Sequence, residues 1–292
     1  MNSQKLFKYH FDKDPQVTAV TNGRVNLIGE HTDYSGGYVL PTLIPEETSV
    51  SISLRNDGKI RGVSEIFGKL ECEIYSSPDG TWLDFVRGAL QLLNQRGLNL
   101  NGINLAVSSN IPSDAGLSSS AALEISLLRA LIKFSNSRFD SIDLAKLGQQ
   151  IEHKFVGTQC GIMDQVVCSY SEFGKILFLD CENLQTRILK GFDGYSFIII
   201  HSGEERKLSS CKYNERKKEI ENILKLLNVP FLKDTTISEV DKILDPILRK
   251  RARHVVSENN RVLQAFRSIE NNDPLSFGKL MYESHISMSD DF

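Results

Sequence analysis

The sequence predicts an α+β chain of two domains, and three observations carry that reading. The chain has 292 residues, while single domains commonly hold about 100–200. Strand-like alternation concentrates in the first half. The second half reads almost wholly in helical periodicity, which sets a boundary near residue 185 and divides the chain into 1–185 and 186–292.

The elements follow in order. Over residues 48–55, Thr48, Val50, Ile52 and Leu54 alternate with Ser49, Ser51 and Ser53, a half-buried strand pattern. Leu70, Cys72 and Ile74 repeat it, and Ser76-Ser77-Pro78-Asp79-Gly80 ends that run. Trp82, Phe85, Val86, Ala89, Leu90 and Leu93 then recur three and four apart, an amphipathic helix closed by Gly97. Ile103, Leu105 and Val107 make another strand, and a helix runs from Ser118 to about Phe134. The next, from about Asp143 to Val156, turns Leu144, Leu147, Ile151 and Phe155 inward. Phe197 to Ile200 reads as a short buried strand, followed by helices over about 209–227, 237–243, 246–268 and 274–285.

Hydrophobic residues are 40%, charged residues 24% and the net charge −3, which excludes a collagen, a disordered tail and a disulfide-stapled miniprotein. So small a charge gives no global attraction for nucleic acid or an anionic membrane. The five cysteines, Cys72, Cys160, Cys168, Cys181 and Cys211, form no Cys-x-x-Cys pair, and the histidines complete no zinc pattern. Residues 1–14 lack a signal-peptide core. No apolar run reaches the roughly 18 residues of a membrane span. The expectation is a cytoplasmic protein with reduced thiols.

Two segments carry chemistry. In the first, Ser113-Asp114-Ala115-Gly116-Leu117-Ser118-Ser119-Ser120 leads into an Ala- and Leu-rich helix. Unpaired N–H groups at a helix start favour an anion, and a glycine permits close backbone approach. The plain alternative is a serine cap on a core helix. Neither G-x4-G-K-[ST] nor G-x-G-x-x-G occurs, so a P-loop nucleotidase, a protein kinase and a Rossmann dehydrogenase lose support. In the second, Gly23 to Pro41, the side chains of Glu30, His31 and Asp33 crowd a stretch that ends in Gly36-Gly37. Such acceptors suit hydrogen bonding to hydroxyls.

The Gly23–Pro41 segment closely resembles the signature of galactokinases, within the GHMP small-molecule kinases. Gly116-Leu117-Ser118-Ser119-Ser120-Ala121 resembles that superfamily's phosphate loop. Glu152 to Gly157 with Cys160 to Gln165 resembles the galactokinase catalytic stretch, Tyr213 to Arg216 a sugar-contacting motif, and Ser284-His285 through Phe292 a further family segment. The resemblance implies an N-terminal ribosomal-protein-S5-like domain and a helix-rich, incomplete ferredoxin-like C-terminal domain. The implied reaction moves the γ-phosphoryl group of ATP to the anomeric hydroxyl of galactose. Asp164 matches the proposed base and Arg24 its neighbouring arginine; Ser120 and Glu152 match Mg2+ ligands. Glu30, His31, Thr32, Asp33 and Tyr213 match sugar contacts. Ser64 joins Asp114, Ala115, Gly116, Leu117, Ser118, Ser119 and Ser120 as a nucleotide contact.

Three departures qualify the match. Asp114 stands where many relatives have glycine, and a carboxylate there repels a triphosphate unless it turns outward. His201 to Arg206 differs from the usual wording. Family members also continue past the point matching Phe292, into a third motif. From this follows the expectation of a truncated second domain covered by a partner chain or an oligomer. The rival readings are a sugar and ATP sensor without turnover, an inactive truncated chain, and a kinase for a related sugar such as N-acetylgalactosamine or arabinose.

Overall fold

The structure, a computed structural model, describes residues 2–112, 115–135, 138–201, 203 and 210–292, the side chains of 210–213 excepted. Among these the strands are β1 (Val17–Asn26), β2 (Tyr38–Val39), β3 (Pro41–Leu54), β4 (Lys59–Ser64), β5 (Gly68–Glu73), β6 (Ile103–Ser109), β7 (Lys175–Asp180) and β8 (Thr186–Lys190). The α-helices are α1 (Ser3–Phe11), α2 (Leu83–Gln95), α3 (Ser119–Ile132), α4 (Ser141–Ile151), α5 (Met163–Tyr170), α6 (Ser210–Leu227), α7 (Ile237–Val240), α8 (Pro246–Glu270) and α9 (Pro274–Asp291). The chain is mixed α+β, as expected, and divides into two compact units. The first comprises Met1–Gly23, Ile44–Thr158 and Asp164–Tyr170; the second comprises Arg24–Leu43, Gln159–Met163 and Ser171–Phe292.

In the first unit, the serine-alternating half of β3 pairs antiparallel with β6, from Thr48↔Ser109 to Leu54↔Ile103. β6 runs parallel to β4, and β4 pairs antiparallel with β5. Val50, Ile52, Ile103 and Leu105 pack with Leu90, Leu128 and Leu147 of the covering helices. On the serines' side, Ser3 of α1 meets Ser49 at 2.6 Å and Ser51 at 2.8 Å, while Leu6 and Phe7 bury against Val63 and Ala106. Alternation along the strand thus serves two layers, one apolar and one hydroxyl-lined. A capping box starts α4: Asp143 N–H donates to Asp140 Oδ1 at 2.7 Å, and Asp143 Oδ2 accepts from Asp140 N–H at 3.4 Å.

In the second unit, β7 lies between β2 and β8, antiparallel to both. Leu27, Ile28, Leu40 and Ile176 pack with Val262 and Ala265 of α8 and with Phe277 and Leu280 of α9. Both helices begin at a proline behind an aspartate cap: Asp245 accepts from Ile247 and Leu248 N–H, and Asp273 accepts from Ser276 N–H. A second cluster joins Ile220 and Ile223 of α6 to Val240 of α7 and Val255 of α8.

The expectation of a buried strand at Phe197–Ile200 is corrected. The segment has no regular structure, and Ile198 and Ile200 are 83% and 84% exposed. An apolar run becomes a strand only when a ladder partner takes its backbone groups, and no described strand pairs with it. The helix expected over 143–156 also changes character, because Glu152–Val156 forms a turn of π-helix. No helix among the described residues is long and apolar enough to cross a membrane.

Candidate active site

The described part of the serine-rich loop, Ala115 to Ser120, and Asp164 belong to the first unit. Gly23 has no side chain because the loop backbone sits there: a Cβ would lie 2.6 Å from the Leu117 carbonyl oxygen. Gly116 takes φ +73° and Ser118 φ +59°, both left-handed. Ser118 stands at the cap position of α3, yet its hydroxyl makes no capping bond. It donates to Asp164 Oδ2 at 2.6 Å. The helix start therefore takes no cap from this side chain, and its first N–H groups form the electropositive end of the helix.

Below that start lies a buried acidic group. Glu152, at the π-turn, is 6% exposed. It accepts hydrogen bonds from Ser120, Glu124 and Thr158. Burial raises its pKa, with the Asp164 charge adding to the rise and the three donors opposing it. Glu124 is wholly buried on α3. Burial, followed by the Glu152 charge, lifts its carboxyl well above the usual range, so it is the protonated partner. Its Oε2 accepts from Gln165 Nε2 at 3.1 Å. Gly148 admits this packing, since a Cβ would lie 2.9 Å from Gln165 Cγ and 3.0 Å from Glu124 Oε2.

The second unit holds the polar turn after β1. Gly29 has φ +108°, and a Cβ there would meet the Tyr38 carbonyl oxygen at 2.6 Å. The buried Thr32 hydroxyl lies 2.9 Å from the Gly29 carbonyl and 2.7 Å from that of Tyr38, so it braces the turn. Glu30 Oε1 accepts from Asn26 Nδ2 at 2.8 Å. His31 adopts φ +62°, stacks on Phe292 with centroids 4.2 Å apart, and sets Nδ1 3.0 Å from the Tyr34 hydroxyl. Burial, then the Asp33 charge, pushes the Tyr34 phenol far up, so it stays protonated. The Asp33 carboxylate lies against the backbone of Gly161: a Cβ there would come within 1.9 Å of Oδ2.

The model described as "GHMP kinases N terminal domain" matches residues 84–172, and "Galactokinase galactose-binding signature" matches 5–54. The Lactococcus lactis galactokinase, solved with galactose, is 33% identical to this chain. The match covers 99% of this chain and 79% of that one, with a TM-score of 0.92. The chain belongs to the galactokinases of the GHMP kinase family.

Two more distant structures share the fold alone. The Methanococcus jannaschii mevalonate kinase is 21% identical over 94% of this chain and 78% of its own, with a TM-score of 0.59. The Streptococcus pneumoniae phosphomevalonate kinase is 15% identical over 94% and 80%, with a TM-score of 0.61. As a galactokinase of this family the chain is an ATP-dependent sugar kinase.

The structure gathers the residues picked from the sequence into two groups. Ser118, Ser120, Glu152 and Asp164 meet through hydrogen bonds and charge in the first unit. Ala115, Gly116, Leu117 and Ser119 frame them, and Ser64 ends β4, its hydroxyl accepting from Ile66 and Phe67 N–H. Glu30, His31, Thr32 and Asp33 form one turn in the second unit, and Arg24 is buried in β1 just ahead of it. Asp114 and the Tyr213 side chain lie outside the described residues.

Sequence reasoning missed Glu124, which looks like one polar residue on an apolar helix. It also missed Glu258 and His254 of α8, which hold the turn at Gly29–Glu30. The available signal was weak: a glutamate and a histidine four apart on one helix face.

Proposed function

We propose that this galactokinase transfers the γ-phosphoryl group of ATP to the anomeric hydroxyl of galactose. The observation that carries the reading is the Ser118–Asp164 hydrogen bond at the mouth of the phosphate loop, in a chain whose residues 5–54 match a galactose-binding signature.

Asp164 is assigned the general base. It takes the proton of the sugar hydroxyl as that oxygen attacks the γ-phosphorus. The bond from the γ-phosphorus to the β,γ-bridging oxygen breaks, and ADP leaves with the electron pair. Ser118 fixes one Asp164 oxygen, and Oδ1 is assigned to the proton. The first N–H groups of α3 bind phosphate oxygens. Arg24 stabilises charge on the transferring group. Glu30, His31, Asp33 and Tyr213 bind sugar hydroxyls, and a buried polar site of this kind rejects analogues that leave its groups unpaired. Thr32 supports that set by holding the turn.

Mg2+ fits the first unit's donor set. Among the described residues no three His, Cys, Asp or Glu side chains are grouped to hold a metal. Ser120 and Glu152 supply two hard oxygens, and the negative charge that raises the pKa of Glu152 favours a cation. Held by Ser120 and Glu152, Mg2+ would supply neutralisation of the triphosphate charge.

The test is ADP release with Mg2+, ATP and galactose, set beside Asp164→Asn and a panel of sugars. Galactose-dependent turnover that the variant lacks while still binding ATP supports the reading. Equal turnover in the variant removes Asp164 as base, and a preference for another sugar removes galactose as substrate.

A further inference from the structure

We propose that Glu258 and His254 are positioning residues for the sugar: from α8 they fix the backbone of Gly29 and Glu30, and so set galactose affinity without touching the ligand. The inference rests on the sugar-binding role given to that turn above.

Glu258 Oε1 accepts from Gly29 N–H at 2.8 Å, from Glu30 N–H at 3.2 Å and from the Ser284 hydroxyl at 2.6 Å. Its other oxygen pairs with Arg261 at 2.7 Å. His254 Nε2 lies 3.0 Å from the Glu30 carbonyl oxygen. A carbonyl only accepts, so Nε2 carries the hydrogen, and Nδ1 accepts from the Ser287 hydroxyl at 2.8 Å. Both side chains are fully buried. They sit four apart on α8 and therefore share a face. Three successive backbone groups of the turn end on them.

The next residue explains why so rigid a hold is useful. His31 has φ +62°, a left-handed conformation that is unfavourable for a non-glycine residue. Such a conformation persists only where its surroundings over-determine it. Relaxation of His31 would swing its side chain and those of Glu30 and Asp33. Gly29 and Glu30 are pinned on one side of it. On the other, Thr32 braces the turn through Gly29 and Tyr38. A buried carboxylate with four donors is also a costly group to keep for packing alone.

The experiment measures galactose binding by calorimetry, KM for galactose and for ATP, and thermal unfolding, in the 292-residue chain and four variants. Glu258→Ala and His254→Leu remove the hold. Glu258→Gln keeps an acceptor for the two N–H groups, and His254→Gln keeps a donor for the carbonyl. The expected result is galactose KM raised about tenfold to a hundredfold in the first pair, ATP KM within about twofold, and most of the galactose affinity restored in the second pair. Unchanged galactose KM in folded variants overturns the inference. So do lower melting points with both KM values unchanged, which mark a purely structural role. If Glu258→Ala does not fold, the two glutamine variants against His254→Leu decide by the same criterion. Absence of galactose binding by the unsubstituted chain would instead overturn the functional reading.

Discussion

Ser118 donates its hydroxyl hydrogen to Asp164 Oδ2 at 2.6 Å and leaves the helix it begins uncapped. A serine at this position ordinarily satisfies an N–H of its own first turn. Here the same group orients a carboxylate 46 residues away and gives its own helix no cap. A hydrogen bond to a charged group contributes about 1.5–3 kcal/mol. Ser118→Ala should therefore lower kcat/KM about tenfold or more. Thermal stability should fall as well, by no more than that one bond's contribution, because no capping bond is lost with it. Steady-state kinetics beside calorimetry check both halves, and an unchanged kcat/KM in the folded variant would count against this account.

The approach of Gly161 to Asp33 leaves no room for a methyl group. In Gly161→Ala the new Cβ would lie 1.9 Å from Oδ2 and would displace the carboxylate. The expected outcome is a galactose KM raised about a hundredfold with little change for ATP. Overpacking of this kind also costs about 1–3 kcal/mol of stability. Titration with each substrate separates the two effects.

Glu124 acts as an acid that donates to Glu152 while it accepts from Gln165. A glutamine of the same shape does both. Glu124→Gln is expected to stay within about 1 kcal/mol of the unsubstituted chain, whereas Glu124→Leu removes one hydrogen bond from each of two buried groups, Glu152 and Gln165, at about 0.5–1.5 kcal/mol each. Urea unfolding distinguishes them. Equal loss in both would show that the proton-sharing arrangement is wrong.

His254 gives a pH dependence. Burial lowers its pKa from the ordinary 6.5, opposed by Glu258 and the Glu30 carbonyl; Arg261 lowers it further and Asp291 raises it. Below pH 6.5 the unfolded chain takes a proton that the folded chain refuses. This group's contribution is therefore intact above that pH and is lost as pH falls through the lowered folded value. Denaturation between pH 7.5 and about 5 should show a loss that is smaller in His254→Gln. A slope identical in both proteins would rule out His254 as its source.

Much of the first unit was legible in the sequence. Periodicity placed α2, α3 and α4 and the strand of alternating serines, because helix and strand patterns arise from neighbours a few residues apart. The turn from Gly23 to Pro41 was legible as chemistry, since its acceptors are contiguous. Phe197–Ile200 was misread because a strand needs a partner, and pattern alone supplies none.

The sequence by itself therefore determined the family, through short and local segments such as the serine-rich loop and Gly23–Pro41. Only the tertiary structure decided which polar residues are buried beside them. Glu258 is 229 residues from Gly29, and His254 is 224 from Glu30. Glu124 looks no different in sequence from a solvated helix residue, yet it lies under Glu152. Whether a carboxyl faces water or another carboxyl depends on how distant elements pack, and that packing sets its charge and what it can hold in place.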